Sequence, residues 1–246
     1  MEKIITIAGF ALLYAFTSCK KDPVTGCFIK KGDNVTQEVE MTGNFTAIEL
    51  YGLIDLEIIQ NSQYKLEIEA GENTIAFYDA RIENGTLIIE DNSKCNAVRN
   101  FARPQVTVSL PELKQLRYYG NGTVTNRDTL FADHLEIDLW GGGEQVDLTV
   151  NTDLLEGRIH ASTCDLVLSG KTNHLGVFKR GLGKLKAFEL QAQTCFVESF
   201  SVTNSEVNVN TLLDAKISYL GNIYYRGNPE IRFLETTGEG KLLNAN

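Results

Sequence analysis

The sequence has no excess of positive charge and no cluster of the residues that usually bind metal ions. Lysine and arginine number 23 against 32 aspartates and glutamates, which gives a formal net charge of −9. An acidic surface repels nucleic acid, so we expect no nucleic-acid partner. There is no Cys-x-x-Cys pair, and the three histidines lie far from Cys27 and Cys95 in the sequence. No metal and no cofactor are therefore predicted.

The sequence also lacks a phosphate-binding loop and a Ser–His–Asp constellation. "GGG" (141–143) is followed by Glu144 and Gln145 and then by a strand-like run, whereas a phosphate-binding loop opens a helix and carries Lys and Ser or Thr. We interpret the three glycines as a corner of the chain, where glycine provides left-handed or cramped backbone angles. The histidines have no flanking support for nucleophilic catalysis, so no catalytic residue is predicted.

Long apolar runs are confined to the first eighteen residues. "IITIAGFALLYAF" (4–16) follows a short basic start and is too short to cross a bilayer comfortably. Thr17 and Ser18 precede Cys19, and "KKD" follows it, which resembles the bacterial lipoprotein signal. That resemblance implies that residues 1–18 are a lipoprotein signal peptide and that a lipid on Cys19 anchors the protein to a membrane. An ordinary signal peptide with a chance cysteine, or a buried apolar helix, is the alternative.

A short tether follows the predicted lipidation site. Residues 19–40 contain a proline, glycines and several charges, which is typical of a linker. Export places the other cysteines in an oxidising compartment, and we predict a disulfide between Cys27 and Cys95. Cys195 falls at an apolar repeat position and is predicted to be a buried thiol. Cys164 falls in a turn and is predicted to be unpaired.

Alternation of apolar and polar residues dominates the rest of the chain. Period-two runs at 46–60, 64–70, 85–91 and 104–110 predict half-buried strands with hairpin-type links. No stretch after residue 30 has a convincing amphipathic helix pattern. We assign residues 41–112 to an N-terminal β region that packs on the part that follows.

From about residue 113 the chain repeats every twenty residues. One position of the repeat is occupied in turn by Leu135, Leu155, Leu175, Cys195 and Ala215. A small or polar turn follows each of these segments, and an aliphatic residue follows each turn. A fixed period near twenty with short strands indicates a parallel β-helix with one coil per repeat. The predicted fold class is therefore all-β, a β-helix-like solenoid over 113–246 that forms one unit with 41–112.

Two stretches resemble the head-GIN-domain family of exported bacterial proteins, which are often lipoproteins and are described as candidate adhesins. "YLGNIYYRGNPEI" (219–231) is similar to the closing signature of the family, and "FTAIELYGLIDLEIIQNSQYKLEIEA" (45–70) is similar to its N-terminal part. The sequence departs from the family at 162–164 and 203–205, where family turns carry glycines. The resemblance covers about residues 40–246 and implies a right-handed parallel β-helix-like fold without catalytic residues.

The first candidate for ligand binding is a row at the twenty-residue spacing. It consists of Trp140, His160 and Arg180, followed by Phe200 and Leu220. An exposed Trp beside His and Arg can stack on a sugar or grip an anionic glycan. The alternative is that this row packs under a neighbouring loop or against the N-terminal sheet.

The second candidate is Tyr224, Tyr225 and Arg226, which form either a binding rim or a cap on the end of the coil stack. Nearby in the repeat, Lys179 falls at an inward position, where an unpaired charge is costly. We expect a β-bulge at 178–181 to turn Lys179 outward.

These features predict a lipid-anchored β-solenoid of the bacterial cell envelope, at the outer membrane, facing the periplasm or the surface. The predicted function is non-catalytic, of binding or structural type, with adhesion to a glycan or a surface protein. The expected partners are the membrane, through the N-terminal lipid, and such a ligand; the coil ends also allow a homo-oligomer. One alternative is a polysaccharide-cleaving enzyme that uses the stacked carboxylates Glu136 and Glu156. Another is an envelope sensor or accessory protein.

Overall fold

The computed structural model of the chain describes residues 30–93 and 103–246. The predictions of a signal peptide, of lipidation at Cys19 and of a Cys27–Cys95 disulfide lie outside these residues. The described part consists of seventeen β-strands and one 3-10 helix, Ile75–Phe77. Neither of the two ranges contains a helix that is long and apolar enough to cross a membrane.

The strands follow one another closely along the chain. They are β1 (Asn34–Val39), β2 (Ala47–Gly52), β3 (Asp55–Gln60), β4 (Lys65–Gly71), β5 (Tyr78–Glu83), β6 (Thr86–Asp91), β7 (Gln105–Leu110), β8 (Gln115–Gly120), β9 (Thr123–Asn126), β10 (Leu130–Leu139), β11 (Gln145–Ile159), β12 (Asp165–Lys179), β13 (Leu185–Ser199), β14 (Ser205–Ile217), β15 (Ile223–Arg226), β16 (Glu230–Thr236) and β17 (Leu242–Asn244).

The chain winds into a parallel β-solenoid with two long sides. Side A is formed by β2, β8, the C-terminal parts of β10 to β14, and β16, each paired in parallel with the next. Side B is formed in the same way by β3, β9, the N-terminal parts of β11 to β14, β15 and β17. Each coil runs along side A, turns at a corner, runs along side B and enters the next coil through a bend. The predicted fold class is confirmed.

The N-terminal strands join this stack. β2 pairs in parallel with β6 and β8, and β3 pairs in parallel with β7 and β9. A hairpin link occurs between β5 and β6, where Asn84 and Gly85 have positive φ angles of 51° and 77°, as a tight hairpin turn requires. The predicted hairpin link between β3 and β4 is wrong, because both strands flank β7 instead of pairing with each other.

Antiparallel strands cover the N-terminal end of the stack. β4 runs antiparallel to β7, and β1 runs antiparallel to β4 on its outer side. β5 adds an antiparallel strand to β6 in the same region. Such strands use backbone groups that the first coils would otherwise leave open to pairing with other chains.

Side chains that point inward stack coil over coil. Leu135, Leu155, Leu175 and Cys195 are buried in one row, and each leucine of the row contributes about 1.5–3 kcal/mol when it leaves water. The next member of this row is Leu213, so the assignment of Ala215 to it is wrong. Register shifts in β13 make the following coil two residues shorter than the twenty-residue repeat. The prediction of a buried thiol at Cys195 is confirmed.

Lys179 lies in the interior and is completely buried, so the predicted outward turn at 178–181 is wrong. The pairing of β12 with β13 continues without a shift through Lys179 and Ser199. The Lys179 Nζ donates to the carbonyl oxygens of Thr203 (2.7 Å) and Asn204 (2.6 Å) and to the hydroxyl of Ser205 (3.3 Å). These three acceptors compensate the amine for its removal from water.

The "GGG" segment forms the corner between β10 and β11, as predicted. None of its glycines has a positive φ, so a left-handed backbone does not explain them, and close approach explains Gly141 and Gly143. A Cβ at Gly143 would overlap the hydroxyl of the buried Tyr118, and one at Gly141 would overlap the carbonyl oxygen of Gly120. Cys164, at the next corner, is buried and unpaired, which confirms the prediction for this residue.

Candidate functional site

A row of ring side chains follows the corner at the end of side A. The ring centroids of Tyr51 and Tyr119 are 4.7 Å apart, with planes 2° from parallel. Trp140 follows at 6.4 Å from Tyr119, and His160 stacks on Trp140 at 3.6 Å, within 10° of parallel. The Tyr51 hydroxyl donates to Glu49 (3.0 Å), and burial together with this carboxylate raises the pKa of Tyr51 to about 12.

The row continues beyond His160 toward the C-terminal coils. The Phe178 ring lies 6.2 Å from the His160 ring, and the Arg180 guanidinium lies 5.2 Å from the Phe178 ring. Arg180 also lies over the ring of Phe200 at 5.9 Å, and Tyr219 stacks on Phe200 at 5.4 Å. The name corner ladder is used below for the row Tyr51, Tyr119, Trp140, His160, Phe178, Arg180, Phe200 and Tyr219.

The twenty-residue spacing identified the middle of the corner ladder and not its ends. Trp140 and His160 are in direct contact, whereas Arg180 reaches the row through Phe178. Tyr219 and not the predicted Leu220 stacks on Phe200. The twenty-residue spacing fails here because Ser199 pairs with Ile217, eighteen residues further on. The contact of Tyr51 with Tyr119 follows from the pairing of β2 with β8, which no fixed period predicts.

The corner ladder is open to solvent. Trp140 is 46 % exposed and Phe200 is 50 % exposed, so no described residue covers them in the way that the packing alternative requires. Within the row, however, Tyr51 stacks on Tyr119, Trp140 on His160, and Phe200 on Tyr219. The ladder therefore presents mainly ring edges and the Arg180 guanidinium to a partner, and the face of Trp140 toward His160 is closed to a sugar.

The stacked carboxylates of side A are held in an ion-pair network. Glu136 lies beside Glu156, and Asp138 lies beside Arg158, as the repeat predicts. The Arg158 guanidinium contacts Glu136 (3.1 Å), Glu156 (3.0 Å) and Asp138 (3.5 Å). Burial acts to lower the pKa of Arg158, but these carboxylates raise it above its usual value. Since the carboxylates share a fixed cation, the arrangement does not favour the acid–base pair of a glycan-cleaving enzyme.

The imidazole of His134 joins this network at Glu136 and Glu156 and creates a set of side chains that can bind a metal ion. The Nε2 of His134 lies 2.8 Å from Glu156 and 3.7 Å from Glu136, and one ligand atom of each residue lies within 4.8 Å of the others. An imidazole with two carboxylates can hold a transition-metal ion. Arg158 contacts both carboxylates, however, so a metal ion would have to displace its guanidinium.

The structure separates the members of the second predicted group. Tyr225 packs against the core, because alternate residues of β15 face opposite sides of the sheet. Arg226 lies over the Phe188 ring at 4.1 Å and lines a depression of about 460 Å³ on the outer face of side B. Tyr224 is half-buried, and its hydroxyl accepts from Asn222 at 3.4 Å. These residues therefore form no continuous rim.

The depression is lined by residues of a β-bulge in β13 that the sequence pattern does not predict. The pairing of β13 with β14 shifts between Ala187 and Gln191, so β13 bulges there. The carbonyl of Phe188, inside the bulge, accepts from Asn208 (3.0 Å), and the Glu189 side chain reaches within 4.0 Å of Arg226. A β-bulge re-aims side chains in this manner.

Comparison with known proteins gives a family and a fold. A family model described as "Putative auto-transporter adhesin, head GIN domain" matches residues 44–229. No curated protein matches the chain.

Three solved structures share the fold. A "putative adhesin" from Bacteroides fragilis is 24% identical, with a TM-score of 0.78 over 87% of this chain and 97% of the other. A "putative adhesin" and a "Putative lipid binding protein" from Parabacteroides distasonis are 17% and 22% identical, with TM-scores of 0.63 and 0.62, each over 87% of this chain and 98% of the other. Because the family model matches residues 44–229, which are most of the chain, the chain belongs to the head GIN domain family of adhesins.

Proposed function

We propose that this protein is a non-catalytic adhesin of the bacterial cell envelope, anchored by a lipid on Cys19, which binds a protein surface through the corner ladder. Membership of an adhesin family supports a place in the envelope or outside the cell. The residues around Cys19 resemble a lipoprotein signal, which supports the anchor. The assignment of the binding surface rests on the exposed apolar side chains at this corner.

The corners that follow β12, β13 and β14 carry a group of large, exposed apolar side chains. Leu182 is 57 % exposed, and large apolar side chains at the next two corners are exposed in the same way; they are Phe200, Val202, Tyr219 and Leu220. Exposed apolar patches of this kind mark interaction sites. Trp, Tyr and Arg, all present in the ladder, are also the side chains that most often dominate the affinity of protein interfaces.

These corners form one rigid surface. The amide of Gly221 donates to the carbonyl of Ser201 (2.8 Å), and the Ser201 hydroxyl donates to the carbonyl of Gly181 (2.7 Å). Successive corners are thus hydrogen-bonded to one another directly. A surface that is ordered before binding loses little conformational entropy when a partner arrives, which favours affinity.

The geometry of the rings favours a protein over a sugar at this corner. A sugar ring stacks on a free aromatic face, and here Trp140 is covered on one side by His160 and lies beside Tyr119 on the other. Apolar ring edges with a flanking guanidinium suit the mixed apolar and polar surface of a protein.

The test measures adhesion of cells that carry the full chain to surfaces coated with fibronectin, collagen or laminin. We expect Phe200→Ala and Arg180→Ala each to weaken adhesion by about tenfold. Phe233→Ala is the matched control, because Phe233 is a similarly exposed phenylalanine of β16 outside the corner ladder, and adhesion should not change. Adhesion that survives both ladder substitutions, or that is lost when the coated protein is enzymatically deglycosylated, contradicts a protein-binding corner.

A further inference from the structure

We propose that a pocket at the bend between side B and side A is a separate binding site for a neutral glycan. The pocket has a volume of about 510 Å³ and is open to solvent. It is called the bend pocket here, and the side chains that matter in it are Gln60, Phe131, Asp133, Asn151, Asp153 and Asn173. It lies at the other end of the side-A strands from the corner ladder, so it is independent of the proposed protein-binding surface.

Phe131 offers a free aromatic face. It is 58 % exposed, and no ring or cation of the described residues stacks on it. Its backbone is held on both sides by one amide, since its N–H donates to Gln60 Oε1 (2.6 Å) and its carbonyl accepts from Gln60 Nε2 (2.8 Å). The ring is therefore an exposed platform on a fixed backbone, which can cover the apolar face of a sugar ring.

Planar polar groups surround this platform. Asp133 and Asn151 form no side-chain hydrogen bond or ion pair with any described residue. Asn173 donates to one oxygen of Asp153 (2.8 Å), which leaves the second oxygen of Asp153 and the carbonyl of Asn173 for a ligand. Carboxylates and amides together accept from and donate to hydroxyl groups, and a few such groups on one apolar wall are what fix a small ligand in a pocket.

The charge of the bend pocket selects against acidic sugars. Glu112, at its edge, is paired with Lys114 (3.3 Å), whereas Asp133 and Asp153 have no cation partner in the described part of the chain. Among the described residues, no lysine or arginine lines the pocket. Two uncompensated carboxylates repel uronate or sialate groups and accept from hydroxyls, so the structure assigns a neutral sugar to this site.

The experiment measures binding of neutral gluco-, manno-, galacto- and xylo-oligosaccharides, and of sialylated and uronate-containing ones, to the purified full chain by calorimetry. At least one neutral oligosaccharide should bind. Phe131→Ala and Asp133→Asn should each weaken that binding by about tenfold, equivalent to about 1.4 kcal/mol. Phe200→Ala, the matched substitution at the corner ladder, should leave the affinity unchanged, and so should a chelator of divalent cations.

Each opposite outcome overturns the proposal. The proposal is wrong if no neutral oligosaccharide binds at millimolar concentration, or if the acidic oligosaccharides bind more tightly than the neutral ones. Neutral binding that Phe200→Ala abolishes and Phe131→Ala leaves intact moves the sugar to the corner, and binding that a chelator abolishes assigns the carboxylates to a cation. Circular dichroism of Phe131→Ala excludes unfolding as the cause of a loss. Failure of protein adhesion with intact sugar binding separates this proposal from the proposed function.

Discussion

The imidazole of His160 lies flat on the indole of Trp140, with ring centroids 3.6 Å apart and planes within 10° of parallel. The same imidazole is held from its edge, because its Nε2 lies 3.1 Å from Asp138. This contact joins two successive coils through side chains, in addition to the backbone pairing of β10 with β11. Since Trp140 is the single tryptophan of the chain, its fluorescence reports directly on the contact.

Replacement of His160 by Ala should uncover one face of Trp140. We expect the tryptophan emission to shift to longer wavelength and the free energy of unfolding to fall by about 0.5–1.5 kcal/mol, the usual contribution of a ring pair. Fluorescence spectra and urea unfolding give both quantities. His174→Ala is the control, because His174 does not contact Trp140 and lies 2.8 Å from the hydroxyl of Thr194. The tryptophan emission should not change in this variant. An unshifted emission in His160→Ala would contradict the stacked arrangement.

The buried amine of Lys179 should make stability depend on pH. Burial lowers the pKa of Lys179 to about 7, from an ordinary value near 10.5. Between these two values the unfolded chain binds more protons than the folded one, so the free energy of unfolding should rise as the pH rises from about 7 to about 9. Below pH 7 the amine is protonated in both states, and the full cost of the buried charge remains.

Lys179→Met isolates this contribution. The variant keeps a long, unbranched side chain but cannot titrate, so the rise in unfolding free energy between pH 7 and pH 9 should be smaller in the variant than in the native chain. The variant should also be less stable at pH 9, because the carbonyls of Thr203 and Asn204 lose their donor. Equal pH slopes in the two proteins would mean that the three acceptors keep Lys179 protonated throughout this range.

The sequence predicted the regular part of this fold because each coil repeats the same pattern of apolar and polar residues. Leu135, Leu155 and Leu175 fall in register since apolar alternation and a constant period act on every coil alike. The period fails where β13 bulges, and so it misplaced Ala215 and Leu220. A bulge depends on how neighbouring coils pair, and no local pattern in β13 announces it.

The functional surfaces were predictable only where they follow the repeat. Trp140 and His160 recur at the coil spacing, whereas Tyr51 and Tyr119 meet through strands that are distant in the sequence. Phe131 was not singled out, because its importance depends on Gln60, which a different coil contributes. Lys179 was misplaced for a related reason, since its acceptors lie in the following corner.

The anchor on Cys19 predicts a covalent lipid. In a bacterial host that processes lipoproteins, the full chain should incorporate radiolabelled palmitate and sediment with membranes. Cys19→Ala should lose both the label and the membrane association, because the thiol is the only acceptor that the signal provides. Cys27→Ala is the matched control and should keep the label. Label retained by Cys19→Ala would place the lipid elsewhere or would reveal a different anchor.

Gly143 tests why the corner is built from glycine. Its neighbour Tyr118 is buried, and the Tyr118 hydroxyl donates to the carbonyl of Gly122 (2.6 Å), so neither the ring nor the hydroxyl can move away from an added methyl group without losing this bond. Gly143→Ala should therefore lower the free energy of unfolding by about 1–3 kcal/mol, as overpacking does. Gly176→Ala is the control, because a Cβ there meets nothing closer than 3.7 Å and Ala is favoured over Gly within a strand. Urea unfolding of both variants and of the native chain gives these values. A Gly143→Ala variant as stable as Gly176→Ala would contradict the steric conflict with Tyr118.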